Sequence, residues 1–244
     1  MKAMILAAGL GTRLKPFTDH KPKALFEVEG RTLLEWTIRY LKKYGIDELV
    51  INVHHFPDQI IEYLEQNKGF GLPYVISDER DNLMDTGGAI VQASKYLKGS
   101  DPFILMGIDV ITGLDLGEML RFHKEKKPLV TLGVKDRVTS RSLLFDSTMR
   151  LTGWRDNRSG EMKGEHDYTF ALGFSVVHII QPEIFNLIAE TGSFSIMDLY
   201  LRLMYSEKIL GFRHDESDWF EFGRSEAIDP ILANPEFQRL LQSF

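Results

Sequence analysis

The chain has 244 residues, of which 43% are hydrophobic and 26% are charged, and its formal net charge is −6 at pH 7. This balance indicates a globular protein and argues against general nucleic-acid binding, and the absence of cysteine excludes disulfides, thiolate metal sites and a cysteine nucleophile. No apolar run reaches the roughly 20 residues of a membrane span, and the run at residues 3–8 is shorter than a signal-peptide core, so we expect a soluble, cytoplasmic protein without a membrane partner.

Strand and helix patterns alternate through the first half of the chain. The predicted strands lie at 3–8, 48–54, 72–77 and 102–108, and the predicted helices lie at 31–44, from Pro57 onward and at 87–97. In the first of these helices Leu34, Ile38 and Leu41 share one face. Repeated strand–helix units predict right-handed crossovers, and therefore an α/β fold with a Rossmann-like, mixed but mostly parallel sheet flanked by helices.

The second half of the sequence is richer in strands. Further strands are predicted at 128–134, 142–146, 168–179, 208–213 and 219–223, and helices at 182–190 and 196–206. We expect the first two of these strands to form a smaller antiparallel layer. The C-terminal segment 235–244 has an amphipathic pattern that either packing on the domain or pairing with a partner would satisfy. No linker or fixed-period repeat interrupts the chain, which predicts one domain over residues 1–244.

The loop after the first strand carries the strongest signal for a ligand. Gly9 and Gly11 fall at the carboxyl end of that strand, where open α/β sheets bind ligands. Leu14 occupies the third glycine position of a dinucleotide fingerprint, and the spacing of a Walker A loop is missing. Residues 13–23 contain four cations and one anion, a local charge of +3, namely Arg13, Lys15, Lys21, Lys23 and Asp19. This predicts a polyphosphate site; the alternative is a solvated turn whose glycines serve only backbone geometry.

Five segments carry a resemblance to a known family. The stretches "GLGTRLKPFT" (9–18) and "PKAL" (22–25) resemble the signature of the sugar-1-phosphate nucleotidylyltransferases. The segment "LMDTGGAI" (83–90) is similar to one found in compact bacterial members, including N-acetylmuramate-1-phosphate uridylyltransferases and mannose-1-phosphate guanylyltransferase-like proteins. "ILMGIDV" (104–110) and "WFEFG" (219–223) stand where the family has "N-G-D" and "W-x-D-V-G".

The resemblance implies a nucleotide-diphospho-sugar transferase fold and a reaction. Residues up to about 110 would form the nucleotide-binding half, and the remainder the sugar-phosphate half with a C-terminal helix. A sugar-1-phosphate would attack the α-phosphorus of an NTP in line, with Mg²⁺ as cofactor, giving an NDP-sugar for cell-envelope or glycan synthesis and pyrophosphate. The resemblance favours UTP or GTP, although readout of the base by backbone groups leaves no side-chain trace that separates UTP, GTP, CTP and dTTP.

The resemblance also implies roles for individual residues. Arg13 would hold the departing β- and γ-phosphates, and Lys23 would bridge the α-phosphate and the sugar phosphate. Asp109 would be catalytic as a Mg²⁺ ligand, with Glu221 in the place of the family's second metal-binding aspartate; the alternatives are a turn-capping Asp109 and a solvent-exposed Glu221. The chain departs from the family pattern at three positions, Ile108, Glu221 and Arg224.

The remaining implied contacts concern the nucleotide and the sugar. The expected nucleotide-binding residues are Ala7, Ala8, Gly9, Gly11, Thr12, Arg13, Ser77, Leu83, Gly87 and Gly88. Gly87 and Gly88 would let a helix N-terminus approach the nucleotide, or would simply begin that helix. Arg141 is expected to contact the sugar phosphate together with Lys23, and Lys163 is a weaker candidate, since either residue could be a plain surface cation.

Two other functions remain open from the sequence. One is a phosphocholine-type cytidylyltransferase, which would need an aromatic or acidic box around a quaternary ammonium. The other is a non-catalytic regulatory subunit that binds NDP-sugars, and the three departures from the family pattern keep this hypothesis open. Retention of Arg13, Lys23 and Asp109 favours an enzyme. An oligomer is possible, but no sequence feature distinguishes an interface helix from a core helix.

Overall fold

The computed structural model describes residues 1–99 and 101–244. The strands within these residues are β1 (Lys2–Leu6), β2 (Glu27–Val28), β3 (Arg31–Thr32), β4 (Glu48–Val53), β5 (Tyr74–Asp78), β6 (Phe103–Gly107), β7 (Val110–Thr112), β8 (Val130–Lys135), β9 (Arg141–Phe145), β10 (Leu151–Asp156), β11 (Met162–Gly164), β12 (Phe170–Ile180), β13 (Ile209–Arg213) and β14 (Trp219–Glu221). The α-helices are α1 (Leu33–Lys43), α2 (Pro57–Gln66), α3 (Asp85–Gln92), α4 (Ser94–Leu97), α5 (Leu116–Lys126), α6 (Ile196–Leu203), α7 (Ile228–Leu232) and α8 (Pro235–Leu241).

A large mixed sheet runs through both halves of the chain. Its order is β11-β10-β9-β12-β6-β1-β4-β5, and β8 pairs with both β12 and β13 beside this path. The strands of the first half, β6, β1, β4 and β5, are parallel, whereas β12 is antiparallel to β6, β8 and β9. The predicted α/β class with a mixed sheet is confirmed. Because β12 joins the parallel strands to the antiparallel ones, the two halves meet within one sheet.

Side chains alternate between the two faces of the sheet, so each face carries its own hydrophobic cluster. In β1, Ala3 and Ile5 belong to one cluster and Met4 to the other. The first cluster takes the apolar faces of α1, α2, α5 and α8, and the second takes those of α3, α4 and α6. The predicted apolar face of α1 is confirmed by the full burial of its leucines and isoleucine. Burial of strands on both faces explains their nearly continuous apolar sequences.

Two predicted elements are wrong in the second half. The strands at 128–134 and 142–146 do not form a separate antiparallel layer, since β8 and β9 each pair with β12 in the large sheet. The predicted helix 182–190 is a short 3₁₀ helix, Pro182–Asn186. The carbonyl of Leu187 then accepts a hydrogen bond from Arg202 Nη2 at 2.9 Å instead of continuing a helix. Helix α5, which Asp115 caps by accepting from Glu118 N, was not predicted.

Two local features of the fold shape the site. Strand β14 pairs with β7, and the amide of Phe222 donates to the carbonyl of Asp109 at 2.7 Å, so the end of β14 lies beside the end of β6. Strand β12 contains an irregularity between Phe174 and His178, within which Val176 has a positive φ of 58°. A β-branched residue rarely adopts this conformation, so the surrounding pairing must enforce it. Across residues 1–99 and 101–244, no helix has the length and apolar character needed to cross a membrane.

Candidate active site

A cavity of about 450 Å³ opens at the carboxyl ends of the parallel strands. Its walls come from both halves of the chain, and the lining residues are Leu6, Ala8, Gly9, Lys23, Asn52, Glu79, Leu83, Asp85, Thr86, Gly107, Ile108, Asp109, Val176 and Ser193. Ligands of open α/β sheets bind at this edge. Among the residues predicted from the sequence, Ala8, Gly9, Lys23, Leu83 and Asp109 line this cavity.

The cavity contains an ion pair that joins two distant parts of the sequence. Lys23 Nζ lies 2.7 Å from Asp109 Oδ2, and their side chains are 10% and 21% exposed. Lys23 begins the short 3₁₀ helix Lys23–Leu25. The second residue of this helix, Ala24, is fully buried and anchors the turn. Asp109 follows β6 directly. The arrangement holds a cation at the mouth of the parallel strands, where it can neutralise charge that develops on a phosphate.

The glycine loop before Lys23 owes its shape to close packing. Gly11 has a φ of +65°, and a Cβ there would lie 2.9 Å from Thr18 Cγ2. The buried Thr18 also donates its hydroxyl hydrogen to the carbonyl of Gly11 at 2.8 Å. Leu14, which takes the third glycine position of a dinucleotide fingerprint, is fully buried in the core. The loop therefore folds back onto Thr18, while Gly9 has open space where a Cβ would stand.

A buried polar network that the sequence analysis missed forms the rear wall of the cavity. Asn52 Oδ1 accepts from the amide of Ala7 at 2.7 Å, and Asn52 Nδ2 donates to Glu79 Oε1 at 2.8 Å. Glu79 Oε2 accepts from the amide of Met84 at 3.1 Å. Burial raises the pKa of Glu79. The network fixes the glycine loop relative to residues 79–84. Its signal in the sequence was the position of Asn52 and Glu79 at the ends of β4 and β5, beside the predicted glycine loop.

Ile108, where the chain departs from the family pattern, is accommodated without blocking the cavity. Its side chain is 5% exposed and packs in the first hydrophobic cluster. The preceding Gly107 is necessary because a Cβ there would lie 2.6 Å from Val176 Cγ1 and 3.1 Å from Asp109 Oδ1. Because β12 approaches so closely, any side chain at residue 107 would collide with Val176 and crowd the Asp109 carboxylate.

Gly87 and Gly88 form the contact between α3 and the loop before α6. Their amides donate to the carbonyl of Phe194 at 2.8 and 3.4 Å, and Thr86 Oγ1 accepts from the amide of Ile196 at 2.9 Å. A Cβ on Gly88 would lie 2.4 Å from the carbonyl oxygen of Gly192. In this structure the two glycine amides therefore hold the second half of the chain against α3.

Replacing Gly88 by alanine is expected to destabilise the protein by about 1–3 kcal/mol, because the new methyl group must displace backbone rather than a flexible side chain. This corresponds to a drop of several degrees in Tm for a chain of this size. Thermal unfolding followed by circular dichroism measures the effect. Gly99→Ala is the matched control, since nothing lies within 4 Å of a Cβ there. An unchanged Tm for Gly88→Ala would contradict the assigned packing.

Arg13 does not line the main cavity but a neighbouring one. This second cavity, of about 690 Å³, is lined by Arg13, Arg224, Glu226 and Ala227. Neither arginine forms an ion pair with any residue in the described part of the chain. Arg224, one of the three departures from the family pattern, thus lines the same cavity as Arg13. Two cations without carboxylate partners on one cavity form a suitable surface for an extended anion.

Glu221 lies at the end of β14, close to a half-buried arginine. Its carboxylate folds back over Gly223, where a Cβ would lie 2.9 Å from Glu221 Oε1. The negative charge of Glu221 raises the pKa of Arg137, against the larger lowering caused by burial. Because side chains alternate along a strand, Trp219 lies on the same face as Glu221, and the guanidinium of Arg137 lies 3.8 Å from the centre of that indole.

The other predicted contacts to the sugar phosphate lie on the exposed side of the antiparallel strands. The side chain of Arg141 is 71% exposed, and its Nε is 3.8 Å from Asp156 Oδ2. Lys163 pairs with Asp198 at 3.5 Å. Both cations lie over the ring of Trp154, at 5.8 and 5.7 Å from its centre. They form a surface cluster that does not belong to either cavity lining.

Three predicted nucleotide-binding residues lie behind or beside the cavity wall. Ala7 is buried and uses its amide to hold Asn52, and Thr12 begins a short 3₁₀ helix, Thr12–Leu14. Ser77 is 3% exposed, and its hydroxyl oxygen has no hydrogen-bond partner in the part of the chain that the structure describes. A buried hydroxyl without a hydrogen-bond partner is costly. The Ser77 hydroxyl is such a group, and it lies in β5 behind the cavity wall.

The carboxylates present fit a hard cation that also binds a substrate. No cluster of three or more acidic or histidine side chains suited to a metal occurs within residues 1–99 and 101–244. Asp109 and Glu221 supply two carboxylates on elements joined by the Phe222–Asp109 hydrogen bond. Mg²⁺ is usually bound by one or two carboxylates, with phosphate oxygens and water completing its shell. Such a pair therefore suits Mg²⁺ that arrives with a nucleotide better than a fully protein-ligated metal.

Comparison with known proteins shows the family of the chain. The family model described as nucleotidyl transferase matches residues 2–142. The chain is 31% identical over 234 residues to the N-acetylmuramate alpha-1-phosphate uridylyltransferase of Caulobacter vibrioides, covering 92% of this chain and 93% of the relative. It is 34% identical to the enzyme of the same name from Neisseria meningitidis, covering 91% and 93%.

The fold is also found in solved structures. The UDP-glucose pyrophosphorylase of Acinetobacter baumanii superposes with a TM-score of 0.79 over 99% of this chain and 97% of that one, at 17% identity. At this identity the likeness concerns the fold alone. The family match covers more than half of the chain and includes the glycine loop, Lys23 and Asp109. The chain therefore belongs to the nucleotidyl transferase family of enzymes.

Proposed function

We propose that this protein transfers a nucleotidyl group from an NTP to a sugar-1-phosphate, releasing pyrophosphate and forming an NDP-sugar. The observation that carries the proposal is the Lys23–Asp109 ion pair at the carboxyl edge of the parallel strands, in a cavity walled by both halves of the chain. Family membership and the names of the most similar relatives support the same reaction. The shared cavity also supports our proposal that residues 1–244 act as one domain. We propose that the protein acts in the cytoplasm, where NTPs are available.

The mechanism needs positioning and neutralisation of charge, and no protein nucleophile. An oxygen of the sugar phosphate attacks the α-phosphorus while pyrophosphate leaves from the opposite side. Lys23 offsets the charge shared by the two phosphates as they approach, and Arg13 with Arg224 receives the charge that grows on the leaving pyrophosphate. Asp109 and Glu221 would hold Mg²⁺, which supplies charge neutralisation at the phosphates.

The nucleotide is proposed to lie along the rear wall of the cavity. Ala8, Gly9 and Leu83 line that wall, and Glu79 faces the same space. Gly11, Thr12 and Ala7 would shape the loop around the phosphates, while Ser77, Gly87 and Gly88 support the wall from behind. UTP or GTP is the favoured donor, since two similar relatives are named uridylyltransferases and another is named a guanylyltransferase. Arg141 lies in the exposed cluster with Lys163 and Trp154. For Arg141 to contact the sugar phosphate, this cluster would have to move toward the bound acceptor.

The tryptophans argue against a choline acceptor. A quaternary ammonium needs a free aromatic face. Each of the three tryptophans carries a cation over its ring, namely Arg31 over Trp36, Arg141 and Lys163 over Trp154, and Arg137 over Trp219. Positive charge at these faces repels a second cation, so a polar or anionic acceptor is favoured.

The test is pyrophosphate release from a matrix of substrates. UTP, GTP, CTP, dTTP and ATP are each combined with N-acetylmuramate α-1-phosphate, mannose-1-phosphate, glucose-1-phosphate and phosphocholine. We expect release only when an NTP and a sugar-1-phosphate are both present, loss of release with EDTA, and recovery with Mg²⁺. A chiral α-thio-NTP should give inversion at phosphorus if the attack is in line. Release with phosphocholine alone among the acceptors, or tight NDP-sugar binding without any release, would point to the rival functions.

A further inference from the structure

Arg137 is a half-buried cation that the proposed mechanism does not yet use. It follows β8, and its side chain packs closely against two elements. On one side is the indole of Trp219, whose ring centre is 3.8 Å away. On the other is the backbone of Gly173, where a Cβ would lie only 2.8 Å from Arg137 Cγ and Nε. A side chain held on both faces has a fixed direction.

The hydrogen bonds of this guanidinium are incomplete. Nη2 donates to the carbonyl of Phe174 at 2.8 Å, which anchors one end. Nε is buried and has no partner within residues 1–99 and 101–244, and no carboxylate in those residues lies within 4 Å of the guanidinium. The carboxylate of Glu221 attracts the guanidinium electrostatically, without forming an ion pair with it. A buried charged donor without an acceptor is unfavourable, so its retention needs a reason.

Arg137 is also close to the active site through the elements that hold it. Phe174 lies two residues before Val176, which lines the main cavity. Trp219 donates its indole hydrogen to the carbonyl of Ser175 at 3.3 Å, and β14 continues to Glu221 and to the Phe222–Asp109 hydrogen bond. The irregularity in β12 at residues 174–178 therefore joins the guanidinium to the cavity wall.

We propose that Arg137 binds an anionic oxygen of the acceptor substrate, beside the cavity wall that Val176 lines. The inference rests on the proposed function, and assigns to Arg137 the role that the sequence analysis gave to Arg141. Two acceptor groups have this chemistry: the phosphate present in every sugar-1-phosphate, and the carboxylate of an acidic sugar. The planar guanidinium suits both, because each offers two oxygens in its plane.

The experiment compares two acceptors that differ by one carboxylate. Binding of glucose-1-phosphate and of glucuronate-1-phosphate is measured by isothermal titration calorimetry on the wild type and on Arg137→Gln, Arg137→Lys and Arg150→Gln. Arg150 is the matched control, a partly buried arginine that donates to the carbonyls of Met204 and Glu207 at 3.2 and 3.0 Å. The Tm of each variant separates a loss of binding from a loss of structure.

We expect Arg137→Gln to weaken acceptor binding by about 10- to 100-fold, the range for a hydrogen bond to a charged group, with partial recovery in Arg137→Lys and no weakening in Arg150→Gln. Equal weakening for both acceptors assigns the phosphate, and weakening for glucuronate-1-phosphate alone assigns the carboxylate. Wild-type binding that Arg137→Gln leaves unchanged overturns the inference but not the proposed function. Absence of wild-type binding to either acceptor, together with no pyrophosphate release from the substrate matrix, overturns both.

Discussion

Replacing Lys23 by alanine is expected to lower kcat/KM for pyrophosphate release at least about 10²-fold while the protein stays folded. The physical reason is that preorganised charge aimed at a transition state has effects of this size when it is removed from a partly dry site. Lys23 is the one lysine in the cavity lining, and its amine is held 2.7 Å from Asp109. Removing Lys23 also costs stability, because the side chains of the pair are only 10% and 21% exposed, so the Tm of the variant is measured together with its activity.

A double-mutant cycle makes this prediction sharper. Lys23→Ala, Asp109→Ala and the double variant are measured by steady-state pyrophosphate release, with Tm as the check on folding. If the two residues act as a unit, the double variant should be little worse than the more damaged single variant. Lys42→Ala is the control, since Lys42 lies on α1 and donates to the carbonyl of Phe70. Near-normal turnover in both single variants would contradict the proposed roles of Lys23 and Asp109.

Acidification from pH 8 to pH 5 is expected to remove about 6 kcal/mol of folding stability through three buried histidines. Burial lowers the pKa of His178 to about 3 and those of His123 and His214 to about 4, from an ordinary value of 6.5. Between these values the unfolded chain binds protons that the folded chain does not. The stability contribution is therefore fully present above about pH 6.5, and each histidine costs about 2 kcal/mol by pH 5. The sum is comparable to the whole stability of many domains.

The measurement is the free energy of unfolding in urea at pH 8, 6.5 and 5. His178→Gln should lose about 2 kcal/mol less than the wild type over this range, because His178, held by Tyr200 through a 2.9 Å contact, no longer titrates. His166→Gln is the control, since His166 is exposed, and it should keep the wild-type slope. Stability that stays constant from pH 8 to pH 5 would show that these histidines have the same pKa in the folded and the unfolded chain. Glu79, whose pKa burial raises, acts in the opposite sense, because the folded chain then holds a proton that the unfolded chain releases.

Much of the parallel half of the fold was predictable, because its signals are local. The apolar runs of β1, β4, β5 and β6 and the amphipathic pattern of α1 follow from periods of two and 3.6 residues. The antiparallel half was harder, since β8 and β9 could be recognised as strands but not assigned to a partner. Their common partner, β12, lies 25 or more residues farther along the chain, and pairing over such distances depends on packing rather than on local pattern.

The candidate site divides in the same way. The amino-acid sequence determined the reaction class, because Gly9, Gly11, Arg13, Lys23 and Asp109 stand at spacings that few other functions require. The tertiary structure decided which side chains meet: Lys23 with Asp109 across 86 positions, Asn52 with Glu79 on the rear wall, and Arg137 with Trp219.

The physical reason is the range of the interactions involved. A phosphate loop is built from neighbouring residues whose backbone conformation and charge are visible in order along the chain. An ion pair, a buried carboxylate network or a stacked guanidinium depends on strands and loops that only the folded sheet brings together. The sequence therefore determined what kind of phosphate chemistry this protein is built for, and the fold determined which charged side chains meet.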